Sequence, residues 1–504
     1  MTTADITLVN LNMLIIRYKD GLEREPHVTL GPLYLAAALE KAGFSVDFRD
    51  YQLCASDEPF SVESILEFCA DPAPIIGLSC MANLLPFTVL AARALKEKYP
   101  DRTIVLGGVG PCGVEEKLLE RFPWIDLIAY GEGDLSAPRL LGAIKNKKDL
   151  SGVPGLLFRK DGAIVRTPLP PRISDLDGLL SPAYDKIEYP KYAGYNMVTS
   201  RGCPYLCSFC SVAPVWGRAP HFRSPASIVS EMSHLHDAYG VELFLFQDEF
   251  FVNSKERVVE FCRLLRKSGM KKVMWKAFAR VNLTDDDVLR AMSSSGCVEI
   301  RYGIESGSDA VLKRTNKGFD IATATRVVAE AVKHFPRVDT FFIWGFPFET
   351  MDDFHKTIFQ MISFRLIGAR ILPSLLCWLP QTDLYREYRE KLRFELYADL
   401  LPEYMLTGHE VCEGGRLRVA DRHRHLFDFI GEHPDVFTGF FQPDVETNIL
   451  PKFETLQRHG FYYSEVSHVK ETDSCGACSP RMDDAGRRKP ALAQFSPIGA
   501  RNPE

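Results

Sequence analysis

Five times within its first 150 residues the chain passes from a short apolar run to a longer amphipathic stretch, and that alternation restricts the fold more than any other property. The apolar runs fall at 6–10, 45–48, 75–78, 103–106 and 126–130, and the stretches of helical period at 31–42, 62–69, 85–98, 114–122 and 135–144. Strands covered by helices on both faces read as continuous apolar runs, because neither face meets water. Five successive βα units therefore predict a doubly wound, flavodoxin-like parallel sheet over residues 1–150. Sheets of this kind take ligands at the carboxyl ends of their strands, which here carry Ser79-Cys80, Gly107-Gly108 and Gly131-Glu132-Gly133-Asp134. Glycine at such an end lets backbone approach a bulky ligand, although a tight βα turn asks for glycine as well.

The pattern then breaks and resumes. Pro154, Pro168, Pro170, Pro171, Pro182 and Pro190 interrupt any long element, so 151–194 reads as a linker wrapping between domains. Beyond it, strands are predicted at 195–199, 243–246, 273–279, 299–303, 338–344 and 369–376, separated by helices at 258–268, 285–294, 321–334 and 351–367. Six strands make a partial β/α barrel over 195–394, with its chemistry at the carboxyl strand ends. Residues 395–465 read as mainly helical, with Tyr404, His409, His423, Phe427 and Phe440-Phe441 among them, and this is a region where substrate would be selected. The tail 466–504, with Cys475-Gly-Ala-Cys478 amid Asp, Arg, Pro and Gly, has the composition of a disordered segment, and its cysteine pair has no assigned role.

Between the first two barrel strands stands Thr199-Ser-Arg-Gly-Cys-Pro-Tyr-Leu-Cys-Ser-Phe-Cys210. Three thiolates at Cys203, Cys207 and Cys210 can hold three irons of a cubane and leave the fourth open to bind and reduce a ligand. Structural zinc ordinarily recruits four protein ligands in two knuckles, and no second knuckle follows. Of the nearest histidines, His221, His234 and His236, the last two fall in an amphipathic stretch at 225–239.

A net charge of −6 offers no basic field for nucleic acid, so the substrate is expected to be a small molecule or a lipid. Thirteen scattered cysteines do not form a disulfide framework and suit a reducing interior. The first residues lack a signal-peptide pattern and no run reaches about 18 apolar residues, so a cytoplasmic protein is expected.

The cysteine run, with aromatic Phe209 before its last cysteine, resembles the cluster loop of radical S-adenosylmethionine (SAM) enzymes. That resemblance implies a [4Fe-4S] cluster whose open iron is chelated by SAM, and an electron donor such as flavodoxin or ferredoxin. It also implies reductive cleavage of SAM to a deoxyadenosyl radical. Gly31-Pro-Leu-Tyr-Leu-Ala-Ala37, the strand ending Leu78-Ser79, Leu106-Gly-Gly108 and Asp126-x3-Tyr130-Gly-Glu-Gly133 resemble, in series, the cobalamin-binding domain that precedes many such cores. On this resemblance Ser79, Gly107, Gly108, Gly131 and Glu132 are the cobalamin positions. The chain departs from corrinoid domains that carry Asp-x-His-x-x-Gly after the first strand: it reads Asn10-Leu-Asn-Met-Leu-Ile-Ile-Arg17, so no histidine of that motif reaches cobalt, and His27 reads as a loop residue.

Within the barrel the resemblance assigns Asp248 to the ammonium group of SAM and Glu305, in Gly303-Ile-Glu-Ser-Gly307, to its ribose or methionine end. Helix capping is the alternative for Asp248 and for its neighbour Glu249. Arg280 joins the cofactor-binding set, and an ion pair between Glu305 and Arg280 is its structural counterpart. Trp344-Gly-Phe-Pro-Phe-Glu-Thr350 resembles the sixth-strand turn of the family with Phe348 in place of glycine, which predicts a reshaped turn; Gly345 and Pro347 would set backbone for adenine. Pro380-x-Thr-x-Leu-Tyr385 resembles the end-of-barrel marker. Together these resemblances imply a cobalamin-dependent radical SAM enzyme, most often a methyltransferase acting on unactivated carbon or on phosphorus. A cyclising, rearranging or oxidising enzyme without net methyl transfer is the alternative.

Overall fold

A computed structural model describes residues 3–12, 15–18, 21–24, 26–56, 58–248, 250–392, 410–411, 417–418 and 424–461. Glu249, Tyr404, His409, His423 and the tail with Cys475 and Cys478 lie outside the described residues.

The first sheet contains parallel strands β1 (Ile6–Asn10), β2 (Val46–Asp50), β3 (Ile75–Ser79), β4 (Thr103–Gly107) and β5 (Leu127–Ala129) in the order β2-β1-β3-β4-β5. This is the flavodoxin-like order, whose switch point lies between β1 and β3. Alternating side chains serve the two helical layers: Ile6 and Leu8 pack with Leu39 and Leu140, whereas Val9 packs with Ile65, Leu95 and Leu118. Those partners come from α1 (Leu30–Lys41) and α5 (Gly133–Lys145) on one face, and from α2 (Val62–Phe68), α3 (Leu85–Lys98) and α4 (Glu115–Arg121) on the other.

The sheet does not stop at β5. Strands β6 (Leu156–Lys160) and β7 (Ala163–Arg166) extend it as an antiparallel hairpin, so the start of the segment read as a linker belongs to the first domain. Pro154 precedes this hairpin and Pro168 follows it, so neither removes a ladder donor, and the proline count misled only by its density.

The second sheet is parallel throughout, with β8 (Tyr195–Met197), β9 (Leu243–Phe246), β10 (Met274–Ala279), β11 (Cys297–Glu305), β12 (Arg337–Trp344) and β13 (Arg370–Leu375) in sequence order. Helices α6 (Pro225–Tyr239), α7 (Lys255–Lys267), α8 (Asp286–Ser294), α9 (Asp309–Arg314), α10 (Ile321–His334) and α11 (Met351–Leu366) form the outer wall. Their starts are sequence-encoded: Ser224, Ser254, Asp285, Asp320 and Thr350 each accept a first-turn amide on the side chain. Among the described residues, no helix is long and apolar enough to cross a membrane.

The described C-terminal residues touch both domains. Helix α12 (Arg424–Glu432) and the turn after it bury Leu426, Phe427, Ile430, Phe437 and Phe441 in the first-domain core, and α13 (Leu450–Arg458) buries Phe453 and Leu456 in the barrel core.

Candidate active site

The cluster loop leaves the end of β8 and is pinned from three sides. Gly202 takes φ +103, and a Cβ there would stand 3.0 Å from Gly217 O, to which Cys203 N donates. Ser208 N donates to Thr315 O at 3.1 Å, and Leu384 N to Ser208 O at 2.9 Å, so the Pro380–Tyr385 marker docks directly on the loop. Thr382 caps the short helix that follows, accepting from Tyr385 N. No disulfide joins the three cysteines; Cys203 is buried, and Cys207 and Cys210 are half-buried. A tetrahedral zinc ion with Zn–S bonds of about 2.3 Å needs its sulfurs about 4 Å apart. Among the described residues the group with all donor atoms within 4.8 Å of one another is Asp286, Glu330 and His334, so the three sulfurs do not stand at the mutual distances of a zinc knuckle.

At the carboxyl end of β11 the backbone is strained where the sequence put a functional acid. Glu305 takes φ +72, beside a break in strand register between Gly303 and Glu305. Its buried carboxylate pairs with Lys317 Nζ at 2.6 Å, and a Cβ on Gly303 would collide with that carboxylate. The expected partner Arg280 is elsewhere: its guanidinium stacks 3.5 Å over the Tyr205 ring, donates to Lys317 O, and places Nη1 3.8 Å from Cys207 Sγ. Lys317, in Thr315-Asn-Lys-Gly318, is a partner that sequence reading missed, since a separation of twelve residues carries no pairing signal of its own.

Asp248 differs from expectation. It is fully enclosed and accepts from Thr199 N (3.0 Å), Thr199 Oγ1 (2.7 Å) and Ser200 Oγ (2.7 Å), which occupies most of what a carboxylate can accept. Burial pushes its carboxyl up, opposed by these bonds. These bonds brace the root of the cluster loop, and the cap of α7 is Ser254, not Asp248.

The sixth-strand turn abuts the loop, with Phe346 and Phe209 ring centroids 5.9 Å apart and Phe348 stacked on Phe346 at 5.5 Å. The left-handed residue is Gly345 (φ +88); Phe348 has no positive φ, so its replacement of glycine does not reshape the turn.

At the first-domain edge Ser79 lies in register with Asn10 on β1 and Gly107 on β4. Gly108 (φ +84) closes on the Cys80 backbone: a Cβ would meet Cys80 O at 2.6 Å. Beyond the two strands Met81 and Val109 are exposed, and at the switch point Asn12 Oδ1 is buried with no hydrogen-bond partner among the described residues. Exposed apolar side chains and a buried polar atom at the carboxyl ends of these strands fit a large, mostly apolar macrocycle with polar edges. Asn12 was quoted in the sequence but not singled out.

Gly131 and Glu132 face elsewhere. A Cβ on Gly131 would meet Pro170 at 2.9 Å. Glu132 accepts from Arg172 Nε (2.5 Å), Ile173 N (3.1 Å) and Arg201 Nη1 (3.3 Å), and Arg201 also reaches Asp134 at 3.1 Å. Arg201 is buried between the Tyr34 and Trp216 rings, two residues before Cys203. Glu132 is therefore a buried hub tying first domain, connector and cluster loop together, because the Arg201 guanidinium, taken out of water, requires a carboxylate.

Comparison with known proteins agrees with this architecture. Residues 24–141 match the B12 binding domain, and residues 197–361 match the Radical SAM superfamily. The chain is 29% identical over 336 residues to "Uncharacterized methyltransferase PH0819" of Pyrococcus horikoshii, spanning 65% of this chain and 72% of that protein. It is 29% identical over 339 residues to the anaerobic magnesium-protoporphyrin IX monomethyl ester cyclase of Synechocystis, spanning 66% and 67%. The solved structure of the radical SAM methyltransferase TsrM from Kitasatospora setae shares the fold with a TM-score of 0.62 at 20% identity, covering 76% of this chain and 75% of that one. The cobalamin-dependent radical SAM enzyme OxsB does so with a TM-score of 0.63 at 18% identity, covering 85% and 66%. With three cluster thiols in place and both domains matched, the chain belongs to the radical SAM superfamily, with a B12 binding domain ahead of its core and with a [4Fe-4S] cluster, SAM and cobalamin as its cofactors.

Proposed function

We propose that this chain is a cobalamin-dependent radical SAM methyltransferase that delivers a methyl group to an unactivated carbon, or to phosphorus, of a small-molecule, natural-product or lipid substrate inside the cell. The observation that carries the reading is the Glu132–Arg201 contact, which places the end of the cobalamin sheet against the root of the cluster loop. When bound, cluster and SAM supply a radical initiator and cobalamin a transferable methyl group.

The chain's own groups divide the remaining work. Cys203, Cys207 and Cys210 would hold the cluster through their three thiolates. Arg280 donates toward Cys207 Sγ and stabilises negative charge at the cluster, while Glu305 with Lys317 offers a paired anion and cation at the barrel rim for the polar ends of SAM. Phe209, Phe346 and Phe348 form an apolar wall that excludes water. Ser79, Gly107 and Gly108 would form the floor that receives cobalamin. An electron donor such as flavodoxin or ferredoxin completes the system.

A second reading has specific support, since cyclases of the magnesium-protoporphyrin class match at 28–29% identity over as much as 78% of this chain. Methyltransferase-named relatives match at comparable levels, among them the cytidylyl-2-hydroxyethylphosphonate methyltransferase of Streptomyces wedmorensis at 26%. Anaerobic turnover with SAM bearing a deuterated methyl group decides between them. Product heavier by a labelled methyl is expected; product formed with deoxyadenosine but without the label overturns methyl transfer.

A further inference from the structure

The buried ion pair between Glu349 and Lys452 joins the sixth-strand turn to a helix that sequence reading assigned to substrate. Lys452, on α13, is enclosed to the end of its side chain, and its Nζ lies 2.9 Å from Glu349 Oε2. The same ammonium donates to two backbone carbonyls of the turn, Glu349 O at 3.0 Å and Phe346 O at 3.4 Å, and to Asn448 Oδ1 at 2.5 Å. Asn448 in turn donates through Nδ2 to Gly345 O at 3.3 Å. A Cβ on Gly345 would stand 2.9 Å from Ile449 Cδ1, and Trp344 stacks on Phe453. The helix thus holds Gly345, Phe346 and Glu349 through their backbone while Phe346 touches Phe209 of the cluster loop.

A charge removed from water is costly, and a hydrophobic pair would fill the space without that cost. What the lysine adds is an ammonium whose three N–H groups reach two carbonyls of the turn and Asn448 Oδ1 while its charge faces the Glu349 carboxylate. Burial pushes the Glu349 carboxyl up, and Lys452 opposes that shift. Glu349 Oε1 has no hydrogen-bond partner, so the pair is directed at the turn and not at a wider polar network.

We infer that Lys452 is a positioning residue for SAM, which fixes the turn 345–349 in the shape that packs against the cofactor from a helix more than one hundred residues downstream. The inference rests on the radical SAM reading of that turn. It makes the C-terminal segment part of the cofactor site as well as a cover for the substrate.

The test uses the full chain with its cluster reconstituted anaerobically, and reads SAM affinity from the change in the reduced cluster's electron paramagnetic resonance as SAM is titrated, alongside thermal unfolding. Lys452→Met alone strands a buried carboxylate and lowers the unfolding temperature. The double variant Lys452→Met, Glu349→Gln removes both charges and restores that temperature, yet SAM affinity stays about tenfold below wild type, because the turn carbonyls have lost their donor. Asn448→Ala, which keeps the ion pair, weakens SAM in the same direction by less. Wild-type affinity in both the double variant and Asn448→Ala overturns the inference. A wild-type cluster whose signal ignores SAM refutes the radical SAM reading of the site, and the inference falls with it.

Discussion

At the scale of single residues, the acids were legible and their partners were not. Asp248 and Glu305 each end an apolar strand, and a carboxylate there must be bonded; that much follows from burial. Which donor answers depends on the third dimension: Thr199 and Ser200 lie on the neighbouring strand's exit, 49 and 48 positions from Asp248, whereas Lys317 follows Glu305 by only twelve. If Asp248 braces the cluster loop, Asp248→Ala leaves two hydroxyls and an amide unsatisfied and costs about 3 kcal/mol in chemical denaturation. The variant should retain less iron per chain, while the molecules that do assemble a cluster bind SAM normally. Full iron content with weakened SAM would restore the ammonium-binding role.

At the scale of elements, nearly every strand and helix was readable because βα folds write burial on both faces of a strand, as Ile6, Leu8 and Val9 illustrate. The hairpin of β6 and β7 escaped because its neighbourhood is proline-rich and because two short strands, the second at the sheet edge, carry little periodicity; four of the nine residues in them are exposed. Gly131 and Glu132 have partners in the chain that the sequence did not announce, for a related reason. A glycine-acid turn at a strand end looks the same whether it meets a ligand or a neighbouring segment, and here Arg172 and Pro170 of the connector occupy it. Glu132→Gln should therefore cost about 2–3 kcal/mol of stability even without cobalamin, less than a fully orphaned buried pair because Asp134 still answers Arg201. Denaturation of the cofactor-free protein measures this. A variant as stable as wild type but deficient in cobalamin uptake would return Glu132 to the corrinoid site.

At the scale of the whole molecule, residues 424–461 act as a strap across two domains that have to keep a fixed separation if a radical made in one is to meet a methyl group held in the other. The strap has two kinds of contact with the first domain, and their magnitudes differ. Asp435 pairs with Lys117 at 3.1 Å and Arg121 at 2.5 Å, but all three side chains are about a third exposed, so solvent and salt screen the attraction to under about 1 kcal/mol. Phe427, Phe437 and Phe441 are enclosed among Leu118, Phe122 and their neighbours, and truncating one of them leaves a cavity worth about 3 kcal/mol. Toward the barrel the strap is held by Thr438 Oγ1 on Trp378 O (2.5 Å) and by Gln442, which accepts from Trp378 Nε1 (3.0 Å) and donates to Leu376 O (2.6 Å). Phe427→Ala should thus loosen the first domain far more than Asp435→Asn, seen as faster proteolysis between the domains and a lower unfolding midpoint. Added salt should change the wild-type midpoint little, since burial and not charge carries the contact. An Asp435→Asn variant that opens as readily as Phe427→Ala, or a midpoint that falls steeply with salt, would mean that the strap is electrostatic and that the spacing between the two cofactors varies with ionic strength.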